Sequence, residues 1–100
     1  MDIQINKEGN VTTVVLAGRL DTPASQPAAA ALEPVINDAS GTIVLDCKAL
    51  EYISSSGLRI FLTIRKAAIA QGGSVVVKDI NDDIRNVFMM TGFLNLFDIR

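Results

Sequence analysis

Residues 52 to 58, Tyr-Ile-Ser-Ser-Ser-Gly-Leu, set three consecutive hydroxyls between an apolar run and the start of a helix-like pattern. A serine hydroxyl can attack a substrate when a base activates it, cap a helix, or accept phosphate. The chain contains no histidine, which removes Ser-His and Cys-His nucleophile pairs, imidazole metal ligands and histidine phosphorylation. Capping uses one hydroxyl and contributes about 1 kcal/mol. The surplus hydroxyls of Ser54, Ser55 and Ser56 lie where unpaired N–H groups and the positive end of a helix dipole favour an anion. A phosphoserine adds about −1.5 to −2 charges at pH 7, whereas the whole chain carries a formal net charge of −2. Covalent charge on a surface that otherwise persists is the chemistry of a switch.

Asp21 and Asp46 follow strand-like runs, and α/β sheets gather strand C-terminal ends along one rim beside helix N-termini. Both aspartates are therefore expected near the serines, although each also reads as an ordinary turn or cap residue. Phosphate acceptance by Asp46, with Lys78 at a later strand end, is a competing enzymatic reading. It has little support, because such a site needs clustered acids for a divalent metal and only Asp21 is available. Cys47 is the single cysteine. It has no internal disulfide partner and lacks zinc-site spacing, so it reads as a small buried residue in a reducing compartment.

The elements that position these residues follow from pattern. Alternation in Asp2 to Asn6, the turn Glu8-Gly9-Asn10 and the run Val11 to Ala17 predict a β-hairpin. An alanine-rich helix follows, with Ser25 as its N-cap, Pro27 in its first turn and a kink at Pro34. Thr42 to Asp46 is a β-branched run of the kind found in strands covered on both faces. Leu58, Phe61, Leu62, Ile64, Ala68 and Ile69 keep helical spacing, and Arg59, Thr63 and Lys66 share the opposite, solvated face. Gly72-Gly73 ends that helix, Ser74 to Val77 is a short strand, and Asn81-Asp82-Asp83 opens a helix closed by Gly92. Met89-Met90 reads as core and helix edge, and Leu96 to Ile99 as a final edge strand. The glycines match no phosphate-loop spacing.

One hundred residues, 49% of them hydrophobic with five aromatics, suit one compact domain with an aliphatic core. Nine basic and eleven acidic residues are dispersed without blocks, giving no footprint for nucleic acid. Residues 1 to 10 carry acids and amides where a signal peptide would need an apolar stretch, and no run reaches about 18 apolar residues; a cytoplasmic protein without membrane insertion is expected.

Three stretches carry a family likeness: Gly18-Arg19-Leu20-Asp21, the segment from Ile43 to Arg59, and Phe88-Met89-Met90-Thr91-Gly92-Phe93. In order and spacing they resemble the STAS domain of bacterial anti-sigma-factor antagonists over almost the whole chain. The resemblance implies an α/β fold, a mixed sheet of four or five strands with an N-terminal β-hairpin and about three flanking helices. It also implies a non-enzymatic partner switch that needs no cofactor. In that cycle the unphosphorylated antagonist binds an anti-sigma factor that is a serine kinase, phosphorylation reverses binding, and a serine phosphatase restores it. Sigma-factor-dependent transcription is the output. Laid on the family motif, the phosphoacceptor is Ser55, with Ser54 and Ser56 as the alternative acceptors, and partner contacts fall on Asp21, Asp46, Ser54, Ser55, Ser56, Gly57 and Arg59. Ser54 departs from the pattern by placing a hydroxyl where the family has an aspartate. Standalone family members imply a monomer, and the alternative family role is a constitutive subunit of a lipid or anion transport assembly, docked through Arg59, Thr63 and Lys66.

Overall fold

A computed structural model describes all residues, 1–100. Five strands form one sheet in the order β1-β2-β3-β4-β5. They are β1 (Asp2–Glu8), β2 (Val11–Leu20), β3 (Thr42–Ile53), β4 (Ser74–Lys78) and β5 (Asp98–Ile99). The hairpin β1–β2 is antiparallel and every later pairing is parallel. The helices are α1 (Thr22–Ala31), α2 (Glu33–Asn37), α3 (Ser55–Ala70) and α4 (Asp82–Thr91), with a 3₁₀ turn at Phe93–Asn95.

Each parallel strand is added on the same side of its predecessor, and right-handed crossovers then bring every helix onto one face of the sheet. Burial follows this arrangement. Val14, Leu16, Ile43, Leu45, Cys47 and Val77 point into the core, whereas Thr13, Val15, Val44 and Asp46 remain half-exposed on the other face. The apolar run at Thr42 to Asp46 is thus covered on one face, not both. Its outward valine owes its partial burial to neighbouring strands alone.

Two prolines shape the first crossover. Pro34 divides the expected single helix into α1 and α2, with Leu32 between them. Pro23 occupies the first turn of α1, so Pro27 lies inside the helix and Asp21, not Ser25, is the N-cap. Ser25 is buried and donates to the Asp21 carbonyl at 2.8 Å.

All four phenylalanines, Phe61, Phe88, Phe93 and Phe97, stack in one cluster that ties α3 to α4 and the 3₁₀ turn. Ile84 and Phe88 take the inward positions of α4, which turns Met89 and Met90 outward; Met90 is 82% exposed. The methionines are surface residues and the expected core role belongs to Phe88. Ile69, on the last turn of α3, is likewise exposed, and Ile60 is the buried residue that the spacing left out. The final strand is only Asp98–Ile99, because Phe97 is drawn into the aromatic cluster.

At the N-terminal ends of β3 and β4, the end of the sheet opposite the serines, backbone packs against backbone. A Cβ on Gly73 would lie 2.1 Å from the Ala39 carbonyl oxygen, and one on Gly41 would lie 2.1 Å from that of Asn10. Gln71 bridges the turn there, accepting from the Ala39 N–H and donating to the Ile36 carbonyl.

Candidate functional site

β2 and β3 run on well past β4, whose last residue, Lys78, pairs with Asp46. Beyond that level, β3 pairs with β2 alone, through two register irregularities, until Leu20 meets Ile53. The next residues on these neighbouring strands are Asp21 and Ser54, and each caps a helix. The Asp21 carboxylate accepts from Ala24 N at 3.0 Å, and the Ser54 hydroxyl accepts from Gly57 N at 3.2 Å. A backbone bond from Ser54 N to the Leu20 carbonyl, 2.8 Å, joins the two caps. Asp21 and the three serines are thereby brought to one rim.

The serines differ in what their hydroxyls do. Ser54 is 7% exposed and committed to its cap. Ser55, the first residue of α3, is exposed, its hydroxyl has no hydrogen-bond partner, and Ser56 behind it is half-buried. Leu58 N closes the first helical bond to the Ser54 carbonyl, which leaves the N–H groups of Ser55 and Ser56 without intrahelical acceptors. The first turn of α3 contains no acid, so its dipole is uncompensated.

Gly57 has a packing reason as well as its motif position. A Cβ there would approach Leu20 Cγ to 2.8 Å and Ile53 Cγ1 to 2.9 Å. Only a glycine lets α3 begin in contact with the ends of β2 and β3. Arg59 is exposed one turn after Ser55, and residues four apart share a helix face.

Asp46 is not brought to this rim. It lies mid-strand on the open face of the sheet, seven residues before Ile53, and accepts from Lys48 N at 3.1 Å. The sequence placed it at a strand end because the β-branched run stops there. Pairing with β2 carries the strand through the less apolar segment Lys48 to Tyr52. Neighbouring Cys47 is fully buried, and desolvation first, then the charges of Asp46 and Asp79, push its thiol pKa up to about 12. It stays protonated and inert.

The sequence also left unremarked a feature beside the serines. Tyr52, the one aromatic outside the phenylalanine cluster, is 41% exposed with the Arg19 guanidinium 4.5 Å above its ring. With Glu51, Ile53, Asp83, Ile84 and Val87 they line a groove of about 150 Å³ between β3 and α4. Arg19 and Tyr52 are 33 positions apart in the chain, and only the register of β2 on β3, which pairs them directly, reveals the stack.

No helix is long and apolar enough to cross a membrane, and no group of three or more acidic or cysteine side chains is placed to hold a metal ion. The STAS domain family matches residues 2–100. The chain is 28% identical over 99 residues to BtrV of Bordetella bronchiseptica, covering 99% of this chain and 85% of that protein. It is 30% identical over 102 residues to the anti-sigma F factor antagonist of Paenibacillus polymyxa, covering 99% and 87%. Among solved structures, an anti-sigma factor antagonist from Mycobacterium paratuberculosis superposes with a TM-score of 0.80 at 25% identity, covering 98% of this chain and 83% of that one. The five-stranded mixed sheet, the helices on one face and the serine motif at the start of α3 thus have a common explanation: the chain belongs to the STAS domain family.

Proposed function

We propose that this chain is an anti-sigma-factor antagonist whose binding to an anti-sigma serine kinase is reversed by phosphorylation of Ser55. The observation that carries this reading is the division of labour at α3: Ser54 is buried in its cap, while the Ser55 hydroxyl is exposed and unengaged. The kinship with the Paenibacillus polymyxa antagonist supports the partner class.

In the unphosphorylated state, the rim of Asp21, Ser55, Ser56 and Arg59 forms the contact, over the buried Ser54 and Gly57. Transfer forms a bond between Ser55 Oγ and the γ-phosphorus of ATP and breaks the β–γ bridge. The serine proton passes to the kinase's base, and ADP leaves. The product faces a site built around nucleotide phosphates and a carboxylate base, where like charge costs several kcal/mol. A phosphatase restores the hydroxyl by water attack at phosphorus, releasing inorganic phosphate. Asp46 lies outside this contact.

The test is the affinity of the purified anti-sigma factor for the chain and its Ser55 variants. Ser55→Glu and Ser55→Asp are expected to weaken binding about a hundredfold or more. Ser55→Ala removes at most one rim hydrogen bond, about 1 kcal/mol, so it binds within about tenfold and accepts no phosphate. Unchanged affinity in both acidic variants refutes the reading. A complex that persists with Ser55 phosphorylated would point instead to a constitutive subunit.

A further inference from the structure

A second consequence follows from what lies beside Ser55 on α3, and it rests on the phosphorylation reading above. We infer that a phosphate on Ser55 is held by the guanidinium of Arg59, one helical turn on, so that phosphorylation withdraws both side chains from the partner-facing surface.

Ser55 is the first residue of α3 and Arg59 the fifth, both exposed on the same side of a continuous helix. Side chains on a helix lean toward its N-terminus, so a long side chain at position 59 lies back over the turn that carries Ser55. An anion four residues before a cation is also the favoured order along a helix. The guanidinium is free for this pairing. The chain's two ion pairs are Lys7 with Asp38 and Arg100 with Asp98, Arg19 is stacked on Tyr52, and Arg65 donates to the Leu96 carbonyl. Thr63 occupies the Arg59 carbonyl through its hydroxyl, at 2.9 Å, and leaves the guanidinium untouched.

The acids near this pair are few: Asp21 on the rim, Glu51 and Asp83 lining the groove beside the serines, and Asp82 next to Asp83 in the first turn of α4. The packed helix α1 contains no ionisable residue between Thr22 and Ala31, and its cap Asp21 is the acid brought to this rim by the strand register. α2, which leads into the start of β3, contributes only Glu33. The α3 helix itself carries no acid anywhere between Ser55 and Ala70. A dianion with three acceptor oxygens can take the planar fork of Arg59 in two parallel bonds, which lysine cannot offer. Before phosphorylation the rim presents a hydroxyl and a cation; afterwards it presents a self-satisfied pair with net negative charge. Two partner contacts are lost through one covalent change.

The experiment installs phosphoserine at position 55 during synthesis, in the full chain and in Arg59→Gln and Arg59→Lys, with no kinase required. The second ionisation of the phosphate is followed by phosphorus NMR, and unfolding by circular dichroism. The phosphate of the unsubstituted chain is expected to titrate about half a pH unit lower than in Arg59→Gln, a roughly threefold change in ionisation constant, with Arg59→Lys between them. Phosphorylation is expected to raise Tm more in the unsubstituted chain than in Arg59→Gln. Because a structural role for Arg59 would shift the unphosphorylated proteins alike, the difference of differences is the reading taken. Equal titration and equal Tm increments in the chain and Arg59→Gln overturn the inference. The outcome is independent of any kinase, so failure of the anti-sigma factor to phosphorylate Ser55 would overturn the proposed function while leaving this measurement interpretable.

Discussion

Replacing Ser54 by alanine should destabilise the protein far more than the same change at Ser55 or Ser56. The Ser54 hydroxyl accepts from Gly57 N in a region closed to water, since both Ser54 and Gly57 are buried. Loss of an N-cap costs about 0.5–2 kcal/mol, and a buried donor left unpaired costs about 1–3 kcal/mol. The same event is counted by both figures, so the expected loss is about 2 kcal/mol. For a chain of this size that lowers Tm by about 10 °C. Ser55→Ala deletes a hydroxyl without a partner and slightly favours helix, so its effect should stay within about 0.5 kcal/mol. Ser54→Asp supplies a carboxylate cap favoured by the helix dipole but desolvated by burial, and should fall within about 1 kcal/mol of the unsubstituted chain. Thermal and urea unfolding of the four single variants, followed by circular dichroism, gives the ordering. If Ser54→Ala melts within 2 °C of the parent, or if Ser55→Ala is the more damaging, the assignment of Ser54 as structural cap and Ser55 as free hydroxyl is wrong.

Three further outcomes follow from the same geometry. Gly73→Ala drives a Cβ into the Ala39 carbonyl at 2.1 Å, where neither backbone can yield, and should cost more than about 3 kcal/mol in urea unfolding; Gly72→Ala, at positive φ in open space, should cost only about 1–2 kcal/mol. Gly57→Ala drives a Cβ into the buried side chains of Leu20 and Ile53, so a loss of about 1–3 kcal/mol is expected together with a shifted start of α3, read by amide exchange at Leu58. Cys47 has a folded-state pKa of about 12 against an ordinary 9.0. The unfolded chain therefore releases its thiol proton first, and stability present below pH 9 falls as pH rises toward 12, by on the order of 4 kcal/mol in total. Cys47→Ala should flatten that alkaline limb in pH-dependent urea unfolding, although its neutral-pH stability is lower; an unchanged slope would refute the assignment.

Much of the arrangement was legible because its causes are local. Hairpin alternation, the break at Pro34, the Asn81 cap and the Gly92 stop each depend on a few adjacent residues, and all appear in the structure. The serine cluster at the start of α3 is of the same kind. What escaped depends on pairing at a distance. Asp46 looked like a strand end because apolar residues give out there, yet β2 holds the backbone in register as far as Ile53. The open sheet face was hidden because an apolar run reads alike whether helices cover one face or two. Ser25 made a plausible cap until Pro23 set the helix start earlier, and the Arg19–Tyr52 stack exists only through strand register.

The hydroxyl at position 54 changes the electrostatic problem that a phosphate on Ser55 would face. With a carboxylate there, as in the family pattern, phosphorylation would place a dianion beside a fixed negative charge. Here the neighbouring cap is neutral, the first turn of α3 has no acid, and the free N–H groups of Ser55 and Ser56 favour the added charge. Asp21, linked to Ser54 through the Leu20 carbonyl, is the acid that the strand register brings to this rim. Phosphorylation should therefore stabilise the isolated chain, and in the proposed switch the force that ends binding comes from the partner's own negative charge and from the proposed capture of Arg59. A Ser54→Asp chain separates these contributions: it should phosphorylate at the same hydroxyl, gain less thermal stability from the phosphate, and depend less on Arg59 for release. Equal stabilisation by phosphate in both backgrounds would show that position 54 has no electrostatic part in the switch.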